Sequence, residues 1–132
     1  MRPGTEGKKS KGKAQKSKGK SENMSGALSG FTIVDLTQGL CGPFGSMRLG
    51  DAGAEIIKIE PLTGDCSRAM GPPFIGDESA VFLSLNRNKK SLALDLKSPE
   101  GLAIGMRLAR ACDVVIESFG PGVAERLGVG YE

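Results

Sequence analysis

The sequence predicts an α/β protein built on a Rossmann-like parallel sheet with flanking helices. Three observations carry that prediction. Short apolar, β-branched runs recur at 31–36, 55–60, 91–96 and 113–118. Segments with helix-start and helix-stop signals separate them. The runs are continuous in apolar character and do not alternate cleanly, which suits strands covered on both faces.

The first run, "FTIVDL" (31–36), reads as a buried strand. Pro43 suits the first turn of a helix over "PFGSMRLGD", because the N–H it lacks has no partner there. Gly53 is placed for a left-handed C-terminal cap. "EIIKIE" (55–60) is the second strand. Residues 61–77 hold three Pro, three Gly and two Asp and predict a long loop. "ESAVFLSLN" (78–86) reads as a short helix and "SLALDL" (91–96) as the third strand. Ser98, Pro99 and Glu100 then form a strong helix start. Leu102, Met106, Leu108, Ala109 and Cys112 make its apolar face, with Arg107 and Arg110 outside. "DVVIES" (113–118) is the fourth strand, followed by "FGPG" and a short helix at 121–127.

Charge divides the chain. Residues 1–24 carry seven Lys, one Arg and two Glu, a net of +6, whereas residues 25–132 carry a net of −3. Residues 1–26, rich in Lys, Gly and Ser, offer almost nothing to bury and are expected to be a disordered tail, with 27–132 forming the domain. Clustered cations attract polyphosphates, but no aromatic side chain interleaves with them to stack on bases, so nucleic acid is not the expected partner. Histidine is absent, which excludes imidazole as base or metal ligand from these residues, and no metal is expected. Three cysteines without a C-x-x-C pair, and no apolar signal segment, predict reduced thiols and a cytoplasmic setting. No apolar run approaches a membrane span.

Open α/β sheets bind ligands at the carboxyl ends of their strands. The glycine-rich "LTQGLCGPFGSM" (36–47) lies at such an end. Its glycines run G-x-x-G-x-x-G, not the G-x-G-x-x-G of dinucleotide sites, and Pro43 removes an N–H from the turn. Glu60, 21 residues after Gly39, stands where an acid meets the ribose of NAD, which keeps an NAD-binding oxidoreductase open as an alternative.

A wider pattern is more specific. Three stretches occur in order: "LSGFTIVDLTQGLCGPFGSMRLGDAGAEIIKIEP", "GDCSRAMGPPFIGDESAVFLSLNRNKKSLALDLKSPEG" and "DVVIESFGPGVAERLGVGYE". Over Leu28–Glu132 the chain thereby resembles the N-terminal part of the family III CoA-transferases (CaiB/BaiF type). That group includes formyl-CoA transferase, carnitine CoA-transferase and the α-methylacyl-CoA racemases. The resemblance implies coenzyme A or acyl-CoA as ligand, a carboxylic acid as second substrate, and an interlocked homodimer for full-length relatives. Racemase chemistry is the alternative inside the family.

By position, the resemblance assigns coenzyme contacts to Leu40 and Cys41 in the first loop, and to Leu94, Asp95, Leu96 and Lys97 after the third strand. It assigns further contacts to Ser118, Phe119, Gly120 and Arg126 after the fourth. Lys97 and Arg126 bring cations for phosphate, and Phe119 an apolar or stacking face. Arg87, Lys89 and Lys90 of "NRNKK" are a second candidate phosphate-facing patch. Some family members carry a basic residue at the position of Pro61, so one ionic contact is expected to be missing. Family transfer runs through an Asp that attacks the thioester and then carries CoA. That Asp lies beyond Glu132 in relatives, so this chain is expected to be an N-terminal fragment without a catalytic residue of its own.

Overall fold

The computed structural model describes residues 26–130, so the expected tail at 1–26 lies outside the described residues apart from Gly26. In chain order the elements are β1 (Thr32–Asp35), α1 (Cys41–Asp51), β2 (Glu55–Glu60), a 3-10 turn (Cys66–Ala69), β3 (Phe74–Ile75), β4 (Glu78–Ser79), α2 (Ala80–Leu85), β5 (Lys89–Ala93), α3 (Pro99–Ala111), β6 (Val114–Ile116) and α4 (Val123–Arg126). Four strands form one parallel sheet in the order β5-β2-β1-β6. Strand order reverses between β1 and β6, which is the switch point where a crevice opens in such sheets.

The two sheet faces differ in chemistry because side chains alternate along each strand. One face carries Val34, Leu36, Ile59 and Leu94, against which Leu92, Leu96, Leu108, Cys112, Phe119 and Val129 pack. The other begins apolar, with Ile33, Ala54 and Ile56 packed against Leu28, Leu49 and Ile116. Towards the carboxyl ends it turns polar, with Asp35, Thr37, Lys58 and Glu60 all buried.

Most expected elements are present, with informative shifts. Helix α1 starts at Cys41, two residues before Pro43, which occupies its first turn. Gly42 lets that turn meet the first loop, since a Cβ there would lie 2.3 Å from the Thr37 side chain. Gly53 has φ +103° just past the end of α1, as a left-handed cap requires. The expected loop at 61–77 contains the 3-10 turn and one strand of a small antiparallel hairpin. Glu78 and Ser79 form the second hairpin strand, not the start of a helix. Ser79 is instead the N-cap of α2, accepting from the Val81 and Phe82 N–H groups.

The third sheet strand runs earlier than 91–96. Asn88, with φ +62°, turns the chain into β5 at Lys89. At the other end Asp95 takes the chain out of the sheet, its side chain accepting from Lys97 N at 3.0 Å and its carbonyl from Ser98 N at 3.0 Å. Ser98 then caps α3 through Gly101 N at 3.0 Å.

Helix α3 seats tightly because of its glycines. A Cβ on Gly101 would lie 2.1 Å from the Asp95 carbonyl oxygen. By contrast, Gly45 inside α1 has nothing within 4 Å of its virtual Cβ. We therefore expect Gly101→Ala to lower unfolding stability by about 1–3 kcal/mol, and Gly45→Ala to raise it by up to about 1 kcal/mol. Urea denaturation of the two variants checks this; equal effects would show that α3 seating is not set by that contact.

Candidate functional site

A cleft of about 480 Å³ opens at the carboxyl ends of β1, β2 and β5, within the size range of small-ligand sites. Leu36 and Gln38 come to it from β1, Ile59 to Thr63 from the end of β2, Leu94 to Lys97 from the exit of β5, and Phe119 and Leu127 from the segments after β6. Leu36, Ile59, Leu94, Leu96 and Phe119 make the interior apolar, while Gln38, Thr63, Asp95 and Lys97 supply polar groups.

Of the residues singled out from sequence, Leu94, Asp95, Leu96, Lys97 and Phe119 meet in this cleft. Leu94 is buried, Leu96 and Phe119 half-buried, and Asp95 and Lys97 exposed. Leu40 and Cys41 lie at the start of α1, both exposed, and do not line the cleft wall. Ser118 and Gly120 flank Phe119 on the exposed side, and Arg126 is exposed on α4 beside the lining residue Leu127. Gln38, Leu62, Thr63 and Leu127 line the cleft although nothing in their identity marked them; their only signal is position just beyond strand or helix ends.

The "NRNKK" segment does not form a phosphate-facing patch. Its cations are engaged at the amino-terminal side of β5, Arg87 with Asp51 at 2.6 Å and Lys90 with Glu55 at 2.5 Å. Lys89 turns inward to Asp35 at 3.1 Å. Asp51 at the end of α1, Glu55 on β2 and Asp35 on β1 thus pair with the three cations, two of them at the exposed surface and Lys89 inside.

Behind the cleft lies a buried polar network. Glu60, 2% exposed, receives Arg68 through two nitrogens, Nε to Oε2 at 2.8 Å and Nη2 to Oε1 at 2.9 Å. Ser91 Oγ and Asp65 N complete its shell at 2.7 and 2.9 Å. Arg68 also pairs with Glu78 at 2.9 Å and lies 3.7 Å above the Phe82 ring. With both oxygens of Glu60 occupied, the acid that would read an NAD ribose is already engaged.

Asp65 holds Lys58 at 2.7 Å, and Asp35 holds Lys89 together with Thr37 and Ser46. Burial, the largest single influence on Glu60, works to raise its pKa, but Arg68, Ser91 and the Asp65 amide outweigh it and hold the carboxyl at about 2. Asp65 behaves alike: burial works upward, and Lys58, Ser67 and the Gly39 amide bring it to about 2. Asp35 is likewise held below the usual carboxylate range, its burial outweighed by Ser46, Thr37 and Lys89. Burial pushes the Lys89 ammonium below its ordinary value, with Asp35 opposing. Among the described residues no group of three or more His, Cys, Asp or Glu is arranged to hold a metal ion.

With the fold and cleft in place, comparison with known proteins is decisive. The model of CoA-transferase family III matches residues 28–132. The chain belongs to CoA-transferase family III. It is 53% identical over 106 residues to human succinyl-CoA:glutarate CoA-transferase, covering 80% of this chain and 24% of that protein. It is 46% identical over 108 residues to the acetyl-CoA:oxalate CoA-transferase of Acetobacter aceti, covering 81% of this chain and 28% of the relative. Among solved structures, a CaiB/BaiF family protein from Brucella suis superposes with a TM-score of 0.78 at 38% identity, over 81% of this chain and 29% of that one. The chain thus spans about a quarter of the length of the curated family III relatives it matches.

The network makes family III folding acid-sensitive in this chain. Glu60 and Asp65 are held below their ordinary values of 4.5 and 3.8, so their contribution is complete above pH 4.5 and lost as pH falls towards 2. Thermal unfolding followed by circular dichroism should show Tm level above pH 5 and falling steeply below pH 4. A flat profile down to pH 3 would contradict the ionised network.

Proposed function

We propose that residues 27–132 form the coenzyme-holding part of an enzyme that transfers CoA between an acyl-CoA and a carboxylic acid. One observation carries the reading: the cleft gathers Leu94–Lys97 and Phe119, from two separate segments, at the carboxyl ends of a parallel sheet. The apolar interior suits the flat faces and methyl groups of a CoA-type ligand, and Lys97 at the rim suits its phosphates. Family membership supports the same ligand.

Within the family, transfer is favoured over racemisation because the relatives named above are transferases. Their names carry glutarate or oxalate, which makes a dicarboxylic acid the first acceptor class to test. On this reading the acid-activating carboxylate lies outside these residues, the intact enzyme is an interlocked homodimer, and it works in the cytoplasm. No helix of the described residues is long and apolar enough to cross a membrane.

Leu40, Cys41, Ser118, Gly120 and Arg126 remain proposed contacts for the parts of the coenzyme that extend past the cleft mouth. The coenzyme itself, not a protein segment, would bridge them to the lining residues.

Isothermal titration of the chain with CoA and with NAD tests the reading. CoA should bind and NAD should not. Lys97→Ala should weaken CoA about 3- to 10-fold, with Tm little changed because Lys97 is exposed. Tight NAD binding without CoA binding would sink the proposal.

A further inference from the structure

The first loop and the loop after β2 form two walls of the cleft, and a single buried carboxylate joins them. Asp65 Oδ1 accepts from Gly39 N at 3.1 Å, from Ser67 N at 2.8 Å and from Ser67 Oγ at 2.7 Å. Its Oδ2 meets Lys58 Nζ at 2.7 Å, and the same ammonium donates to the Thr37 carbonyl at 2.7 Å. Thr37 and Gly39 are therefore both fixed by the Lys58–Asp65 pair. Gln38, between them, lines the cleft. Asp65 also closes the segment that presents Leu62 and Thr63 to the opposite side, its own N–H donating to Glu60 Oε2 at 2.9 Å.

Both members of the pair are buried, Lys58 at 1% and Asp65 at 2% exposure. Placing an ion pair there adds little net stability over an apolar pair of the same volume. Its distinctive effect is geometric. Gly39 has φ +78°, a conformation open mainly to glycine, and without an acceptor its N–H would leave that turn free to relax.

We propose that Asp65 is a positioning residue for coenzyme binding: it holds Gln38 and the first loop at the spacing from Leu62 and Thr63 that the ligand requires. This rests on the coenzyme reading above. Asp65 touches no ligand itself and acts through Gly39 N and Lys58.

The test pairs CoA titration with amide hydrogen exchange of residues 37–41 in three forms of the chain: wild type, Asp65→Asn and Ile33→Val. Ile33→Val thins the core on the far side of the sheet, where Ile33 packs with Ala54 and Ile56 and lines no part of the cleft, so it reports destabilisation alone. Asp65→Asn should speed exchange at 37–41 and weaken CoA about 10- to 100-fold. Ile33→Val should lower Tm yet leave the CoA Kd within about 2-fold of wild type. If Asp65→Asn does not fold, Ser67→Ala takes its place, and a few-fold weakening with faster loop exchange is expected because one donor that orients Oδ1 is gone. Unchanged CoA affinity in the Asp65 or Ser67 variant, or equal weakening by Ile33→Val, overturns the proposal. Failure of the wild-type chain to bind CoA would instead remove the coenzyme reading, while the exchange data would still decide whether Asp65 fixes the loop.

Discussion

The structure depends on a set of opposite charges, all buried except a half-buried Arg68, beneath the carboxyl ends of its sheet. Lys58, Lys89 and Arg68 face Asp35, Asp65 and Glu60, and each carboxylate is also hydrogen-bonded by hydroxyl or amide groups. A lone charge in this position would be prohibitively costly, and a pair roughly offsets its own desolvation. The set is therefore interdependent: removing one member strands another. Its value lies in where its members come from. Asp35, Lys58, Glu60 and Ser91 stand on three neighbouring strands, while Thr37, Asp65, Ser67 and Arg68 belong to the loops that leave them. Charge pairing converts a regular sheet into a fixed arrangement of loops.

The cleft follows from that arrangement together with the opposite, apolar face of the sheet. Leu36, Ile59 and Leu94 point to the cleft side, whereas Thr37, Lys58 and Glu60, their chain neighbours, serve the network. One period-2 alternation thus supplies both an apolar floor and the polar ties that hold the loops around it. Helix α3 closes over the floor at short range because Gly101 and Gly105 present no side chain; a Cβ on Gly105 would come within 2.9 Å of Leu96. The reversal of strand order between β1 and β6 brings Phe119 in from a distant part of the sequence.

Much of this was legible in the residues. Apolar runs located all four sheet strands, and Ser98, Pro99 and Gly53 marked helix ends that the structure keeps. Strand limits were less legible because single side chains decide them. Asn88 adopting φ +62° and Asp95 folding back onto Lys97 N shift the third strand towards its amino end, and neither is a consequence of hydropathy. The charges in "EIIKIE" and "NRNKK" were harder still. Lys58 carries no mark in the sequence and Lys89 reads as one of a phosphate-facing group, until the register places Lys58 beside Asp35 and the fold carries the Lys89 ammonium 54 positions back along the chain to the same carboxylate. Such pairings are properties of topology. In the cleft, Leu94–Lys97 and Phe119 were accessible through family resemblance, whereas Gln38 and Thr63 become visible only once the two loops are seen to be tied together.

The most direct test of a coenzyme cleft at the carboxyl ends of β1, β2 and β5 is a residue-resolved map of CoA binding by amide chemical shifts. The account predicts that CoA shifts cluster at 36–41, 62–63, 94–97 and 118–120. Shifts centred instead on the amino-terminal ends of the strands, around Asp51, Arg87 and Asn88, would contradict it.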